Sequence, residues 1–464
     1  MKKIIAGLIA VMCTTAMGFG GPKSEGQSGG QKVQIRYLAW NLGTPEENNL
    51  ERRMLAAFQE AHPEAQLTIL EVPRNADGTN GSYDNYINAL AAQSNLPDVF
   101  MWTSVPDTAG KGWAYNISEY AAKDPDYQKV ISALRNSAQV NGHVYAIPNQ
   151  AHLYGMAVNL SIFEELNVPP LPFTYTLEDL RARIAQTTTN KYKGIDNFAI
   201  EDWGPFTIDS KLGYATFDAK GYHFTSPAYA QAVSMYRDVV ARGQTGNGNM
   251  IDPASWLPEG VGWAWGEGYI ALQYEATWNL NGFVNGERPF KADLMPLPNE
   301  KVVLVPDFIY IGANTKQPGL AYELAKWMGF GGEGQKKRVE IAKSAGLNLN
   351  GIPLAPGAYP EVDAFFLQNY RSLRNFTQIY QMIQQKPQNV IVEGFKVVPG
   401  FNLSRFTADT GVLGRVGGTE KSLLMNELVV SIVRGERELA DYAPEMERIA
   451  NSEYQKALDL IRNK

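Results

Sequence analysis

The order of hydrophobic patterns predicts an α/β protein built on parallel sheet. Three observations carry this. Residues 33–102 read strand, helix, strand, helix, strand at crossover spacing. A second run of similar elements begins near Tyr145. The last hundred residues read as mainly helical, with no tandem repeat.

Each element has a local cause. Val33, Ile35 and Tyr37 alternate with Gln34 and Arg36, a strand ending at Ala39-Trp40. Thr44-Pro45-Glu46-Glu47 reads as a helix start, with Thr44 as cap and Leu50, Met54, Ala57, Phe58 and Ala61 as the apolar face. Pro63 stops it. Leu67 to Val72 is the next strand, Tyr83 to Ser94 the next helix and Asp98 to Trp102 a third strand. In the second run Thr176 caps a helix carrying Leu177, Leu180 and Ile184, and Phe198 to Ile200 reads as a short strand. Ser226-Pro227 starts a helix, and Tyr269 to Tyr274 and Leu304 to Ile311 are strands. Ala321 to Met328, Ser422 to Val433 and Pro444 to Ile461 read as helices.

Composition excludes several classes. The chain is 464 residues long, enough for two or three domain-sized bodies, with 44% apolar and 19% charged residues. Residues 1–32 hold four Lys and one Glu, a net +3, so the rest stands at −9 against −6 for the whole chain. That acidity argues against a nucleic-acid partner. Cys13 is the one cysteine, and the four histidines show no close ligand spacing. No cysteine-based zinc site is available and none built on histidine is expected, an all-oxygen calcium site staying open as the alternative to the expected absence of any metal or cofactor.

Residues 1–18 have the layout of a secretory signal: Lys2-Lys3, the apolar run Ile4–Met12, then Ala16-Met17-Gly18. Residues 19–32 are Gly/Ser-rich and read as a flexible linker. An extracytoplasmic body is expected. Cys13 opens a lipid-anchor reading, though Met12 stands where a small residue belongs.

Aromatic faces suit the apolar face of a small ring-shaped ligand, and Asp, Glu, Asn and Gln suit hydroxyl groups. Such residues gather at strand-to-loop junctions: Trp40 and Asn41; Asp98 and Trp102; Asn149, Gln150 and His152; Trp203; Trp263; and Glu275, Trp278 and Asn279. Each has a plainer reading, Trp as core and Asp98 as a cap on a backbone turn. Arg74, Arg374 and Arg405 could pair an acidic sugar, or lie solvated in loops. Glu267 and Glu275 could be drawn as a glycosidase pair, which needs carboxylates about 5–10 Å apart. Gly329-Phe330-Gly331-Gly332-Glu333-Gly334 fits a dinucleotide fingerprint but follows a helix, so a helix-to-helix break is the better reading.

An ordered set of local motifs runs along most of the chain. It includes Phe58 with Pro63; Tyr86 and Leu90 with Asn95-Leu96-Pro97-Asp98-Val99-Phe100; and Asn141 to Pro148. It continues through Val158-Asn159 with Phe163, Asn167-Val168-Pro169-Pro170, Phe224-Thr225-Ser226-Pro227, Gly266 to Leu272, Trp278, and Ala321 to Trp327. In that order these motifs resemble the extracellular solute-binding proteins of family 1, the sugar-binding subunits of ABC importers, and Val158 and the run Gly266-Glu267-Gly268-Tyr269 depart from that family's pattern. The resemblance implies a two-lobed periplasmic-binding-protein fold, type II-like, each lobe a mainly parallel sheet flanked by helices. It places lobe one at 33–149 plus 307–345 and lobe two at 150–306 plus 346–464. It implies a monomeric, non-catalytic protein that hands a carbohydrate to ABC permease subunits. An exported polysaccharide-active enzyme and a binder of another solute stay open as alternatives.

Overall fold

In the computed structural model, which describes residues 32–462 apart from 76–80, 197–198, 219, 285, 287 and 350, the first crossover run folds as its pattern dictates. The signal, Cys13 and nearly all of the linker lie outside the described residues. β1 (Val33–Leu38), β2 (Ala65–Ile69) and β3 (Val99–Trp102) pair parallel, with β1 central. Helices Leu50–Ala61 and Tyr83–Ala92 make the crossovers. The first of these starts later than Thr44 predicts. Asn49 is its cap, its side chain accepting the Arg52 N–H. Residues 44–47 form a turn closed by the Glu47 N–H on the Thr44 carbonyl.

β4 (Gln139–Val140) and β5 (His143–Val144) form a tight hairpin. Its turn, Asn141-Gly142, has φ of 51° and 79°, the left-handed pair a two-residue hairpin demands. Then comes β6 (Ile147–Asn159), followed by β7 (Lys193–Asp196), β8 (Ile270–Ala276), β9 (Ala292–Met295), β10 (Val302–Ile311) and β11 (Val390–Val392). Nine strands share one sheet in the order β2-β1-β3-β10-β6-β8-β7, with β11 on β10 and β9 on β6. The outer pairs β1–β2, β1–β3, β7–β8 and β10–β11 are parallel. The long strands β6 and β10 run antiparallel to each other and to β8, β9 and β3, respectively. They tie the two halves together.

Two apolar clusters fill the molecule. One gathers Ile35, Phe58, Phe100, Phe308 and Leu324; the other gathers Phe163, Leu180, Trp203, Tyr229, Leu272 and Leu428. The expected division gives all of 346–464 to the second lobe. The buried side chains from Leu349 to Ile383 instead pack into the first cluster, and those from Val398 to Tyr454 into the second.

Two local expectations change. Of the strand expected at 198–200, Phe198 lies outside the described residues, while Ala199 stands at φ 38° and Ile200 opens the helix Ile200–Ile208. β12 (Asp409–Val416) and β13 (Thr419–Leu424) form a ribbon where helix was expected to begin at Ser422. Gly417-Gly418 supplies its positive-φ turn, and helix starts at Met425, with Glu427 reaching back to the Leu424 N–H. The last helix, Leu439–Arg462, contains Pro444. Among the described residues, no helix is long and apolar enough to cross a membrane.

Candidate functional site

The C-terminal ends of parallel strands leave backbone groups and loops facing a common opening, where open α/β sheets take ligands. At those ends of β1 and β2 lies a pocket of about 520 Å³, lined by Trp40, Glu47, Glu71, Arg74 and Tyr83 among others. Trp40 meets Tyr83 edge-on at 5.4 Å, and Tyr83 stacks at 6.4 Å on Trp102, which packs on Trp113. The Tyr83 hydroxyl donates to the Met101 carbonyl at 2.7 Å, so the ring is fixed to the sheet. Lys111 holds its ammonium 4.4 Å from the Trp113 ring and 5.2 Å from Trp102. Beside this wall, both amide atoms of Asn41 are buried without a partner.

A second aromatic wall stands where β6 and β8 meet. Strand periodicity of two puts His152 and Tyr154 on one face. Tyr154 stacks on Tyr274 at 4.3 Å and 6°. Trp278 stands edge-on to both His152 and Tyr154, at 5.1 and 5.2 Å, and is 41% exposed. It is the one tryptophan among the exposed large apolar residues. Thr277 anchors this corner: its hydroxyl accepts the Leu153 N–H and pairs with Nδ1 of His152, both at 3.2 Å. Burial pulls the His152 pKa down to about 4, so the imidazole is neutral at pH 7. Glu275 accepts hydrogen bonds from Gln273, Asn279 and the Ala276 N–H at 2.8–3.0 Å, and burial raises its pKa. Asn279 is thereby positioned beside Trp278. This corner offers an aromatic surface flanked by an imidazole and an amide, the chemistry that a polyhydroxylated ring needs.

The structure thus brings His152, Glu275, Trp278 and Asn279 together, and separately Trp40, Asn41 and Trp102. It places the rest elsewhere. Trp203 is fully buried, stacked 6.0 Å behind Tyr274. Asp98 sits at the opposite end of β3, accepting the Arg36 N–H at 2.9 Å and the Thr315 hydroxyl at 2.7 Å. That is the plain capping role. Asn149 and Gln150 are buried in the first half, Gln150 donating to Glu51 at 3.2 Å. Trp263 lies under the Arg288 guanidinium at 4.3 Å. Arg405 is fully buried between Asp202, at 2.6 Å, and Glu201, at 3.5 Å.

Tyr83, Tyr154, Tyr274 and Thr277 were not singled out from sequence. Tyr154 had a readable signal, since it stands two residues beyond His152 on one strand face. Glu267 lies in the turn before β8, accepting the Gly262 N–H at 3.2 Å, while Glu275 lies near the far end of the strand, held by Gln273, Asn279 and the Ala276 N–H. Among the described residues no cluster suits a metal ion.

No curated protein matches the sequence. Solved structures match its fold. An ABC substrate-binding protein of Listeria monocytogenes, in complex with cycloalternan, superposes with a TM-score of 0.66 at 16% identity, covering 91% of this chain and 98% of the other. The sugar-binding protein MalE of Xanthomonas citri gives 0.65 at 13%, covering 93% and 100%. The cyclic α-maltosyl-1,6-maltose binding protein of Arthrobacter globiformis gives 0.63 at 16%, covering 92% and 100%. At these identities the likeness establishes the two-lobed fold. The family profile described as bacterial extracellular solute-binding protein matches residues 43–330, more than half of the chain. The chain therefore belongs to the bacterial extracellular solute-binding proteins.

Proposed function

We propose that this chain is the extracytoplasmic capture component of an ABC importer, and that it takes a carbohydrate, an oligosaccharide by preference, between its two lobes. The supporting observation is the exposed Trp278 held against His152 and Tyr154 at the β6–β8 junction, with Asn279 beside it. A ligand touching both aromatic walls gains contacts only when the lobes close, and that difference in affinity drives closure. The closed form would be presented to permease subunits by a monomeric protein held outside the cytoplasm, with Cys13 as a candidate lipid anchor. No bond in the ligand is altered in this reading.

The test is calorimetry and thermal shift of the purified protein against a panel of mono- and oligosaccharides. Binding to the native state raises its melting temperature. A sugar that binds without new reducing ends supports the proposal. Turnover, or binding confined to non-sugar solutes, refutes it.

A further inference from the structure

We infer that the last turn of the C-terminal helix is a clasp between the two lobes, which sets ligand affinity without touching the ligand. The inference rests on the capture reading above and deepens it by naming a contact that holds the closed form. Helix Leu439–Arg462 is rooted in the second apolar cluster through Met446, Ala450 and Tyr454, and Tyr454 meets Phe217 edge-on at 5.0 Å. Ile461 stands two helical turns beyond Tyr454 on the same face, yet it packs against the first cluster. It does so on the short helix Val105–Gly110, which follows β3. The helix is thus rooted in one body and ends on the other.

Two glycines permit the approach. At Gly110 a Cβ would stand 3.1 Å from Cγ1 of Ile461, so the missing side chain is the seat of the isoleucine. At Gly400, where φ is 63°, a Cβ would lie 2.8 Å from that of Ala457, so the helix lies flush on the chain there. The Gly400 N–H in turn favours the charged form of Asp107 on the same short helix, and helix Gly394–Val397 packs on it as well. The place of these contacts gives their sense. Helix Val105–Gly110 leaves the C-terminal end of β3, where Trp102 stands and the cleft opens. A contact between lobes on that side is made with the cleft shut and lost as the lobes swing apart about β6 and β10. It adds the same free energy to the closed form whichever ligand is inside, so it scales every dissociation constant by one factor.

The experiment is calorimetry of the full chain and of Ile461→Ala against the sugar panel. The variant is expected to weaken every sugar that binds by about threefold to tenfold, and by the same factor for each. A folded variant with unchanged affinity overturns the inference, as does a loss confined to one ligand, which would put Ile461 in the ligand's path. A second variant, Gly110→Cys with Ile461→Cys, places a cysteine pair in a chain whose one native cysteine is Cys13. The close approach of the two residues suits a disulfide. The oxidised protein is expected to be more compact by small-angle scattering than its reduced form, and to refuse added sugar until a reductant is supplied. An oxidised protein that binds sugar as fast as the reduced one overturns the clasp. Should no sugar bind at all, the carbohydrate reading fails on its own; a cysteine pair that does not oxidise, or whose oxidation leaves the dimensions unchanged, then overturns the clasp separately.

Discussion

Trp278→Ala tests the aromatic corner directly. The indole is 41% exposed, so about 100 Å² of it is available for a ligand to cover, given the 150–250 Å² that a tryptophan buries when fully enclosed. At roughly 25 cal/mol per Å², covering that surface contributes about 2.5 kcal/mol, and a sugar face that is only partly apolar lowers the yield toward 1. The expected loss is therefore about 1–3 kcal/mol, or roughly fivefold to 150-fold in Kd. Its edge-on contacts with His152 and Tyr154 also hold the corner, so the variant should lose a smaller amount of stability. Calorimetry with the best ligand of the panel measures the first quantity, and urea unfolding the second. A folded Trp278→Ala protein with unchanged affinity would remove this residue from the site and with it the wall built around it.

The remaining predictions concern buried charge. Arg405→Met leaves Asp202 and Glu201 without their cation and is expected to cost about 3–5 kcal/mol in urea unfolding, much of it recovered when Asp202→Asn is added; equal loss in both variants would refute the pairing. Burial raises the Glu393 pKa from 4.5 to about 7, so between those values the folded protein holds a proton that the unfolded chain releases. Stability from this group therefore falls as pH rises through the window, and the penalty is complete above about pH 7. Glu393→Gln should gain up to about 3 kcal/mol on wild type between pH 4.5 and 8, since His152, whose lowered pKa works in the opposite sense, is present in both proteins and cancels. A difference between the two proteins that stays flat with pH would show Glu393 to be ionised throughout.

Much of the fold was legible because its signals are local. Alternation marked β1, helical spacing marked Leu50–Ala61, and Thr176 forms the capping box with Asp179 that its position foretells. The failures share a cause in tertiary competition. Thr44 is a good cap, but Asn49 is another, and the turn at 44–47 gives its residues to the pocket rim. Ser422 to Leu424 could open a helix until Gly417-Gly418 lets the chain fold back as a ribbon. The site was half legible for the same reason. Trp203 and Trp278 both lie in polar company in the sequence, yet one is sealed behind Tyr274 and the other stands in the open. Only the packing separates them.

The face that His152 and Tyr154 present depends on a single residue of register. Across β6 and β10, Phe308 pairs with Pro148, but Asp307 pairs with Gln150, so Asn149 is an extra residue in the ladder. Pro148 has no N–H to give, which makes a bulge inexpensive at that point. Because side chains alternate, one inserted residue reverses the facing of everything beyond it. Deleting Asn149 should therefore turn His152 and Tyr154 to the opposite side of the sheet, destroy the corner with Trp278, and abolish ligand binding. Asn149→Ala, which keeps the count, should retain binding and lose only the contact of its amide with the Met101 sulfur at 3.7 Å. Circular dichroism of both variants checks that the sheet persists, and calorimetry reads the site. If the deletion variant folds and still binds, the bulge does not set the facing of the wall, and the ligand must be held by residues outside β6.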